Sequence, residues 1–490
     1  MSVFSEYLDN YIKKSKYTVS RLASKMNMDR SILYRYVKGT RVPSDEALLC
    51  EIAAALCMTD TEKEHLLELY NRLMYGDEKI DNYVYFKSFL KQLKEREEGF
   101  IAENGQVKTD MGTGYGHKML WLNSEEEIVS VVRKLLDNVS NTLGADGEEK
   151  CIYIVMQPDN PVQEYIRPCL EDTDVRVEQI IHLERNDACK YKNLDVLLHI
   201  LGTCFGNMHY TVYYSFCDDI GEGDSMYWMT NVIIIGDYVV WFDADMHYGS
   251  VIHDGCCRMG AMKRYGKIKK NTYILKNDTK QGDNATGIYG KTDGVIIGNL
   301  FIDPCIGLIV GRDIWESNLY DFEGKKELMD HIEDVGGAWN NTTYFPSKII
   351  KRSKITVRFQ YDGLIRFMET GRISELPACM YKPLDMPQRL LTLMRMIEII
   401  KKGYFNYNIV DSSIEIPEKI LIYRLENERS MSFSLIRRDA SSRVVINEAG
   451  FGYIFDMFIE ELERKGCIRN TEETLEILEE ICGRYSVMKK

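Results

Sequence analysis

Nine lysines and arginines stand between Asn10 and Ser44, namely Lys13, Lys14, Lys16, Arg21, Lys25, Arg30, Arg35, Lys38 and Arg41, against the single acid Asp29, for a local charge of +8. The whole 490-residue chain carries −13, so everything outside this stretch sums to −21. A solvated helical face seldom collects one sign so strongly inside an acidic protein. A nucleic-acid duplex, with about one negative charge per 1.7 Å of its axis, attracts such a patch. The arginines add a planar fork that meets guanine O6 and N7 with two hydrogen bonds. The chemistry these residues suit is phosphate neutralisation combined with the reading of base edges.

Cations reach a groove only if short helices hold them there. Phe4, Tyr7, Leu8 and Tyr11 recur at the spacing of one helical face and predict a first helix, Phe4 to Lys14. Thr18 is expected to cap a second, with Leu22, Ala23 and Met26 inward. Asn27 falls where the chain must turn sharply, and Asn accepts a positive φ better than most residues. Asp29 then caps a third helix, Arg30 to Lys38, ended by Gly39 with Pro43 beyond. Leu33 and Tyr36 face inward, which leaves Arg30, Ser31, Tyr34, Arg35 and Lys38 outward. Ser44 is expected to cap a fourth helix burying Leu48, Leu49, Ile52, Ala53 and Leu56. A fifth starts at Thr59 or Asp60, with Leu66, Leu67, Leu69 and Leu73 inside.

From about Val3 to Met74 the chain resembles the lambda-repressor-like helix-turn-helix family, of the Cro/CI and XRE type. The likeness rests on the register Leu22-Ala23, the turn, Arg30-Ser31, Tyr36 where the family favours a bulky core residue, and the tail Gly39-Thr40-Arg41-Val42-Pro43-Ser44. It implies a five-helix domain and double-stranded DNA as partner. By the same resemblance Arg30, Ser31 and Arg35 are base readers, and Thr40 and Arg41 meet phosphate. Tyr34, Lys38, Thr18, Arg21 and Lys14 complete the expected DNA-binding set. Val19 departs from the pattern, standing where family members often carry a Gln that holds the sugar-phosphate backbone. Affinity should therefore lean on the lysines and on a second subunit, and a homodimer on a two-fold site is expected.

Other residues could do different chemistry. Asp243, Asp245, His247, His253, Asp254, Cys256 and Cys257 gather carboxylate, imidazole and thiolate within fifteen positions, a set able to hold a divalent ion. Their spacing matches no standard zinc knuckle, so Asp-x-Asp-x-His is expected to be a solvated strand end, with Cys256 and Cys257 in the core. Ala285 to Thr292 spells a loose phosphate-binding loop, but strand-like Val295-Ile296-Ile297 follows where a helix is required. The run Gly112-x-Gly-x-Gly116 has no strand feeding it. Nucleophile-elbow and H-E-x-x-H spellings do not occur. The expectation is a non-enzymatic protein without metal or cofactor. Its alternatives are an enzyme, degenerate or metal-dependent and hydrolase-like, carrying a helix-turn-helix appendage, and a defence or protein-interaction factor.

A composition of 45% apolar and 28% charged residues is that of soluble globular protein, in two to four domains at this length. No apolar run is long enough for a membrane span and no signal-peptide core opens the chain. Thirteen cysteines without C-x-x-C pairs suit a reducing compartment, so a cytoplasmic location is expected. With 10 Pro, 31 Tyr and 23 Met the composition fits a bacterial protein.

The expected class is a multidomain chain, an all-α five-helix domain followed by an α/β and α+β region with a mixed sheet. Its divisions are 1–75 for the helix-turn-helix domain, 76–122 for a helical linker, 123–350 for an α/β sensor domain and 351–490 for an α+β domain. In the linker, Gly76 opens the boundary, Tyr83 to Glu98 reads as a helix and Gly105 to His117 as a loop. A helix capped at Ser124 should reach about Leu143. Strands Cys151 to Met156, Val175 to Leu183 and Tyr210 to Phe216 alternate with helices Val162 to Leu170 and Leu194 to Cys204. A hairpin from Val232 to Phe242 turns at Gly236-Asp237. That order resembles one half of the phospholipase D-like fold, which prokaryotic regulators reuse to sense ligands. None of His209, His247 and His253 continues into its His-x-Lys-x4-Asp signature, so the resemblance implies a degenerate centre responding to a small-molecule or protein effector. Val295 to Val310 reads as strand-rich, Lys325 to Asp334 as helix, and Lys354 to Met368 as a hairpin turning at Asp362-Gly363. Helix Met386 to Lys402, strands Ile420 to Leu425 and Met431 to Ile436, and helices Tyr453 to Lys465 and Thr471 to Tyr485 complete the chain.

Overall fold

The computed structural model describes residues 2–15, 17–101, 119–139, 150–171, 173–185, 191–206, 208–216, 231–276, 296–322, 324–340, 343–352, 355–426, 430–438 and 441–487. The chain forms two compact units, Met1–Val84 and Tyr85–Lys490. The loop expected at Gly105 to His117, its glycine run and the Ala285 to Thr292 spelling lie outside the described residues.

The first unit is all-helical: α1 (Val3–Lys14), α2 (Val19–Lys25), α3 (Arg30–Val37), α4 (Glu46–Ala55), α5 (Asp60–Tyr75) and the start of α6 (Asp77–Ile101), within which the boundary falls. Its helix starts are written in short polar side chains. Thr18 accepts the Arg21 amide at 3.2 Å, Asp29 accepts that of Ser31 at 2.6 Å, and Thr59 forms a reciprocal capping box with Glu62. Asn27 adopts φ +52°, the left-handed turn that its short side chain tolerates. At α4 the cap is Asp45 instead of Ser44. Its carboxylate accepts the Leu48 amide at 2.9 Å, and the Ser44 hydroxyl donates to that carboxylate at 2.8 Å. Phe4, Leu8, Ile12, Leu22, Ala23, Leu33, Tyr36, Val37, Leu49, Ile52, Leu66 and Tyr70 make the core. Tyr7 and Tyr11 only flank it, because Tyr11 turns its hydroxyl to the Glu62 carboxylate at 2.7 Å. Tyr70 fills the place expected for Leu73, which is 42% exposed.

The second unit holds two mixed sheets. The first contains β1 (Met119–Leu122), β2 (Cys151–Val155), β3 (Arg176–Leu183), β4 (His209–Phe216), β5 (Asn231–Ile235), β6 (Tyr238–Phe242), β7 (Gly249–His253) and β8 (Tyr273–Lys276). Across the sheet they run β1-β7-β6-β5-β2-β3-β4-β8. Strands β2, β3 and β4 are parallel, joined by helices Gln163–Leu170 and Asn193–Cys204, while β5 and β6 form the expected antiparallel hairpin with Gly236 at φ +55°. The helix capped by Ser124 is α7 (Glu125–Asp137), ending short of Leu143.

The second sheet is built from β9 (Ile296–Leu300), β12 (Ile355–Gln360), β13 (Phe405–Val410), β14 (Ile420–Leu425), β15 (Met431–Ile436) and β16 (Ser441–Ile446), in the order β13-β12-β9-β14-β15-β16. A separate hairpin pairs β10 (Gly337–Asn340) with β11 (Thr343–Pro346). Because β9 pairs with β12 and β14, the sheets change over between Lys276 and Ile296, so the expected border at 350 falls inside the span of the second sheet. Likewise β1, within the expected linker, pairs with β7.

Two expectations fail for physical reasons. The hairpin over Lys354 to Met368 is instead β12 followed by helix Tyr361–Thr370. Gly363 is there because its backbone lies against the Ile302 carbonyl, where a Cβ would collide. Of the described part of Val295 to Val310, which starts at Ile296, only Ile296–Leu300 is strand. Ile306, Ile309 and Val310 instead enter a core with Trp315, Phe359 and Leu364 through apolar packing that needs no ladder. The closing helices are Ala449–Arg464 and Thr471–Val487. Among the described residues no helix is long and apolar enough to cross a membrane.

Glu375 is 1% exposed, with one carboxylate oxygen accepting the Gly307 amide at 3.0 Å. Burial pushes its acid up from 4.5 to about 7. A folded-state value raised above the unfolded one stabilises the fold at low pH and loses that contribution as pH rises through about 7. Urea titrations at pH 5 and pH 8 should show a loss of stability with rising pH that Glu375→Gln reduces; an unchanged difference contradicts the assignment.

Candidate nucleic-acid interface

The exposed face of α3 is a consequence of what the helix buries. Leu33, Tyr36 and Val37 enter the core, so Ser31, Tyr34, Arg35 and Lys38, at i, i+3, i+4 and i+7, form the opposite stripe. All four are exposed, as are Arg30 at the start of the helix and Thr40 and Arg41 beyond its end. Tyr34 is 49% exposed, with the Lys38 ammonium 5.7 Å from its ring centre. The end of α3 is pinned by Gly39 at φ +68°, and the Arg35 carbonyl accepts the amides of Thr40 at 3.0 Å and Arg41 at 3.3 Å. That closure gives Thr40 and Arg41 a definite place beside the stripe. Thr18, Arg21 and Lys14, also exposed, come from α2 and the end of α1.

Side-chain contacts sort these residues. Arg35 lies back along its helix, Nε donating to the Ser31 carbonyl at 3.2 Å and Nη2 to the Ser31 hydroxyl at 3.4 Å. Ser31, expected as a base reader, here props Arg35. Thr18 caps α2, and the Thr40 hydroxyl donates to the Arg35 carbonyl at 3.4 Å. Lys13 pairs with Asp9 at 2.8 Å, and Lys25 donates to the Ala55 carbonyl at 2.6 Å while facing the Tyr17 ring. Those two cations are therefore committed to the fold. Among the described residues Lys14, Arg21, Arg30, Arg35, Lys38 and Arg41 make no ion pair. Hydrogen bonds from the Ser31 side chain and amide hold the Asp29 acid below its ordinary value, so the cap stays ionised. From Asp45 to Asp81 the charge reverses, with ten acids against three bases. The unit's positive charge thus belongs to α1 to α3 and the turn after them, and its negative charge to α4 to α6, a polarity that orients an approaching polyanion.

The cluster from Asp243 to Cys257 is taken up locally. Asp254 caps helix Gly255–Lys269 by accepting the amides of Cys256 and Cys257, Asp243 accepts the Tyr248 amide at 3.0 Å, and His253 stacks on Tyr238 at 4.2 Å. Cys256 is exposed and Cys257 half-buried, contrary to a core placement, because both fall in the first turn of a surface helix. Among the described residues no three His, Cys, Asp or Glu side chains converge as a metal site.

No family model matches the chain, and no curated protein does. Among solved structures it is matched by TrmBL2, an archaeal chromatin protein described as showing a novel mode of DNA binding, at 9% identity and a TM-score of 0.22, over 56% of this chain and 95% of that one. It is also matched by phosphatidylserine synthase of Haemophilus influenzae Rd KW20, at 10% identity and a TM-score of 0.20, over 81% of this chain and 98% of that one. Superpositions this loose carry no weight for fold or function.

Arg35→Ala should cost about 1 to 3 kcal/mol on a preferred duplex and relax base preference at one position. Lys14→Ala should weaken all duplexes alike. Competition titrations against an oligonucleotide panel measure both, and an Arg35→Ala loss equal on every sequence contradicts base reading.

Proposed function

We propose that the chain is a sequence-specific DNA-binding transcriptional regulator of the XRE type, bacterial and cytoplasmic, whose second unit serves ligand sensing or oligomerisation. The observation that supports it best is the stripe of Tyr34, Arg35 and Lys38 flanked by Arg30 and Arg41, exposed, free of ion pairs among the described residues and opposite a buried Leu33, Tyr36 and Val37. A helix 8 residues long with that surface inserts into the major groove, where its arginines meet guanine and the flanking cations meet phosphate.

One such reader spans few base pairs, and electrostatic binding alone gives dissociation constants of about 10⁻⁴ to 10⁻⁶ M. Two copies on a two-fold site supply the missing affinity, so the regulator acts as a homodimer. A small-molecule or protein effector that prefers one arrangement of the pair shifts the population towards or away from operator binding.

The test is the salt dependence of duplex binding by the full chain. With Lys14, Arg21, Lys38 and Arg41 meeting phosphate, log K against log salt should slope to about −4 per reader. A slope near zero, or no binding at low salt, overturns the reading.

A further inference from the structure

Strands β2, β3 and β4 run parallel and end along one edge of the first sheet, and the carboxyl edge of parallel strands is where such sheets meet their ligands. The register of β3 and β4 sets His182 opposite Ser215, each one residue before the end of its strand. Their side chains share a face, and His182 Nδ1 lies 2.7 Å from Ser215 Oγ. Gln157, just past β2, grips the His182 backbone on both sides: its amide nitrogen donates to the His182 carbonyl at 3.0 Å and its oxygen accepts the His182 amide at 3.4 Å. The imidazole is thereby held in place from a third strand. Burial lowers the pKa of His182, so at neutral pH the ring is uncharged, and with its proton on Nε2 it accepts from Ser215. Ser215 itself is buried, whereas His182 is only half-buried and keeps the pair in reach of the edge.

The same face continues into a small, largely apolar recess of about 30 Å³ beside helix Gly255–Lys269, lined by Val155, Val232, Trp241 and Ile268, with Arg264 at 6.0 Å from the Trp241 ring. Val155 pairs with Ile180, two residues before His182 on β3, so the recess begins about 7 Å along the strand from the imidazole.

We propose that Ser215 and His182 are a nucleophile and its general base, acting on a small carboxylic ester. Ser215 Oγ attacks the ester carbonyl carbon while its proton passes to His182 Nδ1. The bond from carbonyl carbon to the alcohol oxygen breaks, and that oxygen leaves as the alcohol with the proton from His182. Water, deprotonated by the same nitrogen, then cleaves the acyl-serine, releasing the carboxylic acid and restoring Ser215. Ester and water become acid and alcohol, and no other reactant is needed. The pair belongs to the second unit and the proposed DNA-reading residues to the first, so either assignment survives the failure of the other.

The experiment treats the full chain with a fluorophosphonate, which reports the first step alone: a bond forms between Ser215 Oγ and phosphorus, and fluoride leaves with the proton. Peptide mass spectrometry should place one adduct on Ser215. Labelling of His182→Gln should slow by about a hundredfold, and wild-type labelling should reach its plateau by pH 7, where the ring is neutral. Absence of an adduct on Ser215 in the folded wild-type chain overturns the proposal without recourse to any variant. So does labelling that His182→Gln leaves unchanged while its near-ultraviolet circular dichroism matches wild type.

Discussion

The N-terminal unit depends on one constraint: three side chains of a two-turn helix, Leu33, Tyr36 and Val37, are buried in the core that α1 to α5 share, which leaves that helix a single exposed stripe. Fully burying an aliphatic side chain is worth about 1.5 to 3 kcal/mol. Rotating α3 to hide its arginines would forfeit several such terms and desolvate their exposed guanidinium groups as well. Packing and charge therefore specify the same orientation. The caps strengthen it, since Thr18 and Asp29 on either side of Asn27 define where one helix stops and the next starts.

Legibility in the sequence followed the range of the interactions. Caps, the turn at Asn27 and the burial stripe of α3 depend on residues within four positions, and each was readable from spacing alone. Small competitions between neighbours were not. Both Ser44 and Asp45 are good caps, and the choice went to the carboxylate that reaches the Leu48 amide. Nor does sequence reveal that the Ser31 hydroxyl is occupied by Arg35 or that Lys25 is tied to the Ala55 carbonyl.

In the second unit the elements were easier to read than their partners. The alternation from Cys151 to Phe242 gave strands and helices close to those observed, since each carries its own periodicity. Three features depended on contacts distant in sequence. Asp362-Gly363 has the composition of a hairpin turn, yet it opens a helix because Gly363 must approach the backbone at Ile302. β13 and β16 went unseen because alternating Asn and Tyr, or Ser-Ser-Arg, has the look of a loop until a neighbouring strand, β12 for one and β15 for the other, supplies the ladder. The pairing of His182 with Ser215, 33 residues apart, is a matter of strand register, which no local pattern encodes.

The central claim is that the outward stripe of α3 contacts duplex DNA. Arginine-selective chemical modification of the full chain, read by mass spectrometry with and without a bound duplex, tests it most directly. The account predicts that Arg30, Arg35 and Arg41 become protected when duplex is added, while arginines outside the N-terminal unit react as before. Equal reactivity of those three in both states would contradict it.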